Sequence, residues 1–488
     1  MSCILSFEAR IFRRAIFLPP ALLIAGVLAG CASFSPDGGM SPVAARAGVE
    51  TKAGVAKIAN DGEDAAAQSR AKKLLKGALT ADRAVQIAFL RNKGLQVAYN
   101  DLGISEAQYV ADSLPPNPVL TITRLRGSMA LDIERRLIAD ILALATLPAR
   151  QEVAAARWRV AQQAAIADTL KLSVETRRQY WRAVAARAQV KYLAQARATA
   201  ETTAELTRKL AETGALSKLD QGREFAFYAE LSAQLARART QETVEKERLT
   251  RLMGLWGADT NFHLPLALPR LPGKVAASRD IEAKAIAERV DIAMARADLD
   301  RTAKSLGLTQ ATRFVDAFAV AAVNNASWSS KVEADGAVTR ERSRMRGFEA
   351  ELEVPIFDFG QSRTREAEEV YMRAVNTLVQ KAVDARSQVR EAYAAYKGAL
   401  GVSRLYTSRI LPLRSAIQKE SLLRYNGMLS DLFELIQDAR ARILSNVAAI
   451  DAQRDFLVAE TNLHAAMMGA GVADTETSPA ATSVAAAQ

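Results

Sequence analysis

The sequence contains an internal duplication, which limits the folds open to this chain more than any other feature. The first repeat spans residues 79–254 and the second repeat spans residues 280–471. Each repeat predicts the same order of elements: a helix, two strands, a very long helix, a tight turn and a return helix. Residues 255–279 between them carry three prolines, which is typical of a connector. The duplication favours one repeated architecture over two or three unrelated domains.

Apolar heptads indicate that the long helices pair with one another. From Tyr371 to Ile417 the inward positions form two series. One series is Leu378, Ala385, Ala392, Ala399, Tyr406 and Leu413, and the other is Val375, Ala382, Val389, Tyr396, Ser403 and Ile410. Such a pattern requires a partner helix, and the return helix has Ile436, Ile443, Ile450 and Leu457 at the same spacing. In the first repeat, residues 150–213 predict a rod of about 95 Å, longer than a globular core needs.

The predicted strands have one charged and one apolar face. In residues 348–356, apolar residues alternate with Glu349, Glu351 and Glu353. We expect the glutamates to face water and the opposite face to be buried. Residues 131–145 alternate in the same way. This alternation fits a transmembrane barrel strand and also an amphipathic strand of a soluble sheet.

The start of the chain predicts an export signal. A basic segment precedes the apolar stretch from Ala15 to Leu28, and residues 1–30 end in Leu-Ala-Gly before Cys31. This end resembles a lipobox, the bacterial lipoprotein processing site, which implies diacylglycerol and an N-acyl chain on Cys31 and an address at the outer membrane. The alternative is an ordinary secretory signal with an incidental cysteine. Residues 31–70 then predict a flexible tether, and residues 472–488 predict a disordered tail.

Composition argues against nucleic-acid binding and catalysis. The net charge is +11, but 54 acidic residues are interspersed among 65 basic ones, as on solvated helix faces. The only histidines are His263, in the connector, and His464, on the heptad face after Leu457. We find no sequence pattern for a metal site, a catalytic triad or a phosphate-binding loop, and therefore predict no enzyme, no metal and no cofactor other than the lipid on Cys31.

The motifs and their order resemble the outer-membrane efflux factor family, the TolC type, over almost all of residues 79–471. The supporting motifs are the lipobox, Leu114-Pro115-Pro116-Asn117-Pro118 before the first strand, Val354-Pro355-Ile356-Phe357-Asp358-Phe359-Gly360 after the fourth, and Arg424-Tyr425-Asn426-Gly427 at the second turn. Two departures stand out. The first repeat has Leu147-Pro148-Ala149-Arg150 where the second has Gly360, and the turn at Tyr425 has one residue fewer before its glycine than the commonest family form.

The resemblance implies a mainly α protein with a small β part. Each protomer of a homotrimer would give four strands to a 12-stranded transmembrane β-barrel and its helices to a long periplasmic coiled-coil α-barrel. It also implies a location in the outer membrane and docking on a periplasmic adaptor protein. The third component would be an inner-membrane pump, of the resistance-nodulation-division type. The turns at Gly214 and Gly427 would face the adaptor.

The resemblance further implies acidic residues that close the periplasmic end of the channel. Asp431, Glu434 and Asp438 share a predicted helix face just after the second turn, while Arg424 and Tyr425 would supply ion pairs and hydrogen bonds to hold it shut. The alternative is that the acids only complement the helix dipole and that Tyr425 only packs.

A different class of function is a periplasmic coiled-coil scaffold or adaptor lipoprotein. It would need the lipobox and the heptads but has no use for two strand pairs with charged and apolar faces. The sequence does not identify a transported substrate.

Overall fold

The computed structural model describes residues 33–51, 54–214, 217–273, 281–334 and 336–471. The predicted export signal, Cys31 and the predicted tail 472–488 lie outside these ranges. The chain divides into two compact units, here called the sheet unit and the helical unit.

Two helices precede the first repeat: α1 (Met40–Thr51) and α2 (Asp61–Leu74). The expectation of a flexible tether over residues 31–70 is therefore wrong for these segments. Asn60 accepts a hydrogen bond from the Glu63 amide at 2.9 Å, and the Glu63 carboxylate accepts one from the Ala59 amide at 2.8 Å. This reciprocal pair of caps gives α2 a defined start.

The first repeat follows the predicted order. Its elements are α3 (Ala81–Arg91), α4 (Lys93–Ser113), β1 (Val119–Arg126), β2 (Ala130–Asp140), α5 (Ile141–Ala145), α6 (Leu147–Glu212) and α7 (Lys218–Leu252). Ser217 caps α7, accepting a hydrogen bond from the Asp220 amide at 3.1 Å. The described part of the connector, residues 255–273, contains one short 3-10 helix, Gly257–Thr260.

The second repeat has the same order with longer strands. Its elements are α8 (Ile281–Glu288), α9 (Val290–Ala311), β3 (Ala317–Val332), β4 (Val338–Glu353), α10 (Gln361–Leu405), a π-helical turn (Tyr406–Ile410), α11 (Leu411–Asn426) and α12 (Leu432–Met468). The predicted fold class, mainly α with four strands, is confirmed.

Each repeat has a break where one continuous first helix was expected. The break falls at Asn92 in the first repeat and at Arg289 in the second. In both, the side chain at the break donates to a carbonyl at the end of its repeat's last helix: Asn92 to Leu252 at 2.8 Å and Arg289 to Ala466 at 2.7 Å. The structure thus repeats a contact that the periodicity did not predict.

The sheet unit contains Ile104–Trp158 and Asp300–Met372. Its strands form one antiparallel sheet in the order β1-β2-β3-β4. The strand expected to run to residue 145 ends at Asp140, which caps α5 by accepting from the Ala143 amide at 2.8 Å. Every residue of β4 is exposed, so the expectation of a buried apolar face is wrong for the single chain.

The two repeats leave the sheet differently. After β4 the chain turns through Phe359 and Gly360, both with positive φ, and a Cβ on Gly360 would overlap the Arg313 carbonyl oxygen. Asp358 then caps α10, accepting from the Gly360 amide at 3.0 Å. The first repeat needs no glycine here because the short α5 makes the bend.

The helical unit holds most of the buried apolar core. One cluster surrounds Tyr180, Leu249 and Phe262, and another, near the hairpin turns, joins Phe227 and Leu231 of α7 to residues of α12. Leu457 and Ile436 of the predicted return-helix series are buried, as expected.

The second long helix does not keep its heptad without interruption. The inward series Val389, Tyr396 and Ser403 is buried, but Leu413 is 62% exposed. The π-helical turn inserts one extra residue, and beyond it Tyr425 is half-buried while Arg424, the next position of the heptad, is exposed. Pro412 lies in the first turn of the helix that follows.

Candidate functional site

The candidate site lies at the ends of the two helical hairpins, where each long helix turns back. At the first turn Gly214 has a φ of 74°, a conformation that glycine adopts without strain. At the second turn Gly427 has an ordinary φ of −83°, and Met428 takes the left-handed conformation, with a φ of 56°. Gly427 therefore lies in the predicted turn but is not its left-handed residue.

Asp431 is the N-cap of α12. Its carboxylate accepts a hydrogen bond from the Glu434 amide at 2.8 Å. Asp431, which was predicted to share a helix face with Glu434 and Asp438, lies at the flanking cap position, and its carboxylate is bound to the main chain. A carboxylate here also complements the positive end of the helix dipole.

Glu434 pairs with Arg424 of the same chain. The nearest nitrogen and oxygen are 3.9 Å apart, and both side chains are half exposed. Exposed pairs of this kind contribute about 0–1 kcal/mol, so this contact leaves both charges available to other groups.

Asp438 connects α12 to α11. Its carboxylate accepts a hydrogen bond from the hydroxyl of Ser421, which is 6% exposed. Tyr425 packs against the apolar cluster of Phe227, Leu231 and Ile436, which supports the packing alternative for that residue.

Sequence analysis missed a cavity in the helical unit near these turns. It measures about 560 Å³ and is lined by side chains of α6, α7, α11 and α12. Glu224 of α7 lines it, is 2% exposed, and has one carboxylate oxygen, Oε2, without a hydrogen-bond partner among the described residues. Burial raises the pKa of the Glu224 carboxyl because the charged form loses its hydration. The sequence contains one sign of this site: Glu224 is an acid at an inward helix position, three residues before the buried Phe227.

The histidines do not form a site. His263 is held through its main chain, whose carbonyl accepts from the Leu79 amide at 2.8 Å, and His464 is exposed and does not face the heptad core as expected. Within the described ranges, no group of three or more histidine, cysteine or acidic side chains is arranged to hold a metal ion.

No helix in the described part of the chain is both long enough and apolar enough to cross a membrane.

Two repeats of strand pair and long helical hairpin make up a fold that is also found in solved outer-membrane channels. The chain is similar to a membrane protein from Pseudomonas aeruginosa, with 20% identity and a TM-score of 0.65, over 79% of this chain and 93% of that one. It is also similar to the outer membrane protein VceC from Vibrio cholerae, with 16% identity, a TM-score of 0.61, and coverage of 84% and 97%.

A third similar structure is the open state of the MtrE outer membrane channel from Neisseria gonorrhoeae. The identity is 18% and the TM-score 0.61, over 81% of this chain and 90% of that one. Comparisons with protein-family models and with curated proteins find no match. The mainly α fold with four antiparallel strands in each chain, which the sequence resemblance implied, is confirmed.

Proposed function

We propose that this protein is the outer-membrane channel of a tripartite efflux system. It passively conducts substrates that an inner-membrane pump and a periplasmic adaptor deliver, and catalyses no reaction. The proposal is supported by the fold shared with outer-membrane channels and by the sheet, whose edge strands expose large apolar side chains in the single chain.

The sheet is the observation that carries the proposal. Leu120, Ile122, Phe348 and Leu352 are between 58% and 83% exposed. The outer edges of β1 and β4 have no strand partner among the described residues. Four strands do not close a barrel, and open edges are not stable in hydrocarbon. Three copies joined edge to edge would remove both problems and give twelve strands, as the resemblance implies.

The helices suit the periplasmic part of such a channel. In this proposal the hairpin turns at Gly214 and Gly427 contact the adaptor, and the pump is of the resistance-nodulation-division type. Apolar side chains are exposed at the second turn: Met428 is 94% and Leu429 is 72% exposed. Exposed apolar residues at a turn favour contact with another protein.

The function is tested with the full-length protein purified in detergent. We expect a trimer that is stable on a gel until heated and that forms ion-conducting pores in planar bilayers. A monomer that stays soluble after removal of its acyl groups would instead support the scaffold alternative, which no structural observation favours. Screening a deletion strain against metal salts, dyes and antibiotics would identify the cargo.

The lipid on Cys31 is a separate part of the proposal. Wild type should incorporate labelled palmitate and Cys31→Ser should not. Label in both proteins, or in neither, would remove Cys31 as the acylation site.

The gate is also a proposal. Three copies of Asp431 and Glu434 around one axis would favour cations. Asp431→Asn with Glu434→Gln keeps the helix cap, because Asn caps as well as Asp. We expect lower cation preference in planar-bilayer conductance, with Asp220→Asn at the other turn as the matched control. Unchanged selectivity would exclude these residues from the constriction.

A further inference from the structure

The strand register sorts the side chains of the sheet onto two faces. Leu120 of β1 pairs with Leu137 of β2, Leu137 with Ala322 of β3, and Ala322 with Phe348 of β4. Because neighbouring residues of a strand point to opposite faces, this row and every second row beyond it belong to one face. We call it the arginine face, for the residues described below.

The rows of the arginine face nearest the helices are apolar. They contain Leu120, Leu137, Ala139, Phe318, Val320, Ala322, Phe348, Ala350 and Leu352. This is the part of the sheet that would lie against hydrocarbon in the proposed channel.

The rows nearer the two strand turns carry the arginines. They are Arg124, Arg126, Arg135, Arg340, Arg342, Arg344 and Arg346. All seven are exposed, and none forms an ion pair within the described part of the chain. Six of them lie on the edge strands β1 and β4, which would meet if copies of the chain close the sheet.

The acidic residues of the strands all lie on the other face. They are Asp132, Glu134, Asp140, Glu341, Glu349, Glu351 and Glu353. Arg136, also on that face, is already paired with Glu349. Within the described strands, the seven arginines of the arginine face therefore have no carboxylate beside them on their own face, and like charges on one face repel unless anions from outside neutralise them.

The position of these arginines matches the edge of a membrane. The Arg342 guanidinium lies 5.2 Å from the centre of the Trp328 ring, on the same face. Tryptophan is enriched at the boundary between hydrocarbon and water, and arginine extends its charge from there into the head-group layer. On β4 the arginine nearest the apolar rows is Arg346, which lies two residues from Phe348 on the side of the β3–β4 turn. The charged rows therefore follow directly on the apolar ones.

The residue type identifies the anion. All seven basic residues are arginine and none is lysine. The planar guanidinium donates two parallel hydrogen bonds to a phosphate, which an ammonium group does not. Lysine would supply the same positive charge, so the use of arginine at all seven positions favours phosphate as the bound anion.

We propose that the arginine face binds the phosphate groups of anionic lipids in the outer leaflet. The inference rests on the proposed function, because it requires the apolar rows to lie in the outer membrane. The lipid phosphates would neutralise the seven charges and hold neighbouring edge strands together where β4 of one copy meets β1 of the next.

The test compares lipid A with its dephosphorylated form, bound to the detergent-solubilised full-length protein and followed by native mass spectrometry. The variant Arg340→Gln/Arg344→Gln/Arg346→Gln leaves Arg342 on its tryptophan. Lys331→Gln, at the same end of the sheet but on the opposite face, is the matched control. Planar-bilayer conductance of each protein reports whether the channel itself is intact.

We expect wild type to prefer phosphorylated lipid A and the triple variant to bind it on the order of 100-fold more weakly, since each cation at an anionic surface contributes about a factor of five. Lys331→Gln should bind as wild type does. Equal binding of both lipid forms by a conducting wild type, or an unchanged triple variant, would overturn this inference alone. A wild type that does not conduct would overturn the proposed function.

Discussion

The two repeats share one contact and differ at both ends of their long helices. In each repeat the residue at the helix break binds a carbonyl of the last helix, and a glycine with positive φ follows that helix, Gly254 in the first and Gly469 in the second. The exits from the sheet and the hairpin turns, by contrast, use different residues. The shared contact therefore defines the repeat, and the ends have diverged around it.

The residue at the helix break makes more hydrogen bonds in the second repeat than in the first. Arg289 is 2% exposed and donates to Asp291, Gln388 and the Ala466 carbonyl. Asn92 donates to the Leu252 carbonyl and accepts from the Leu95 amide at 3.0 Å. The same position thus carries a buried ion pair in one repeat and a helix cap in the other.

The largest expected difference between the repeats comes from removing these side chains. Arg289→Ala should lower the free energy of unfolding by about 3–5 kcal/mol, because it leaves Asp291 without its partner. Asn92→Ala should cost only about 1 kcal/mol, the usual loss of an N-cap. Chemical denaturation in detergent measures both, and equal losses would mean that the two breaks are equivalent.

The glycines that follow the last helices should also differ. A Cβ on Gly254 would overlap the backbone carbonyl of Arg91, whereas on Gly469 it would mainly meet side-chain atoms of Asp291 and Arg289. Gly254→Ala should cost about 3 kcal/mol, from left-handed strain and overpacking together. Gly469→Ala should cost less because side chains move more easily than backbone. The reverse order, measured by denaturation, would contradict this packing argument.

Glu224, the buried acid near the hairpin turns, should make the stability of the protein depend on pH. The folded-state pKa of Glu224 is raised above its ordinary 4.5, so its contribution to stability is fully present below pH 4.5 and is lost as pH rises through the folded pKa. Glu224→Gln should remove this dependence and stabilise the protein by about 1 kcal/mol at neutral pH.

Asp431→Asn is the control for Glu224→Gln, because it preserves a cap and should leave stability unchanged. Denaturation midpoints between pH 4 and pH 8 measure both variants. A pH profile of Glu224→Gln that matches wild type would exclude Glu224 as the source.

The smallest expected difference lies in the turns themselves. Gly214→Ala should destabilise by about 1 kcal/mol, since a Cβ there meets none of the described residues within 4 Å and the φ of 74° is unfavourable for alanine. Met428→Gly should stabilise by about 1 kcal/mol because it relieves the same strain. Thermal unfolding of the two variants should shift in opposite directions, and shifts of the same sign would show that packing at the turn outweighs the backbone.

The sequence predicted the fold better than the details of the site. Duplication, alternation and heptads are periodic, so they identified the order of elements and the inward residues Ile436 and Leu457. The helix breaks depend on tertiary contacts of Asn92 and Arg289, which no period records. The helix α2 had a readable signal, the Asn60 and Glu63 caps, but its alanine-rich composition suggested a tether.

The site was harder to predict because it depends on direction as well as position. Asp431 lies where it was expected, but its carboxylate turns back to the main chain. Glu224 could not be predicted from the heptads, because a single acid at an inward position leaves the apolar period around it unchanged.

The π-helical turn at Tyr406–Ile410 determines whether Arg424 or Tyr425 faces the apolar cluster formed by α7 and α12. One residue rotates a helix by about 100°, so the extra residue brings Tyr425 inward and leaves Arg424 exposed towards Glu434. Deletion of one residue from that turn would rotate Tyr425 outward and Arg424 inward, and would bury the Arg424 guanidinium among apolar side chains. Reading-frame-preserving deletions should therefore be far rarer in these five positions, across natural relatives of the gene, than in the loops of the sheet.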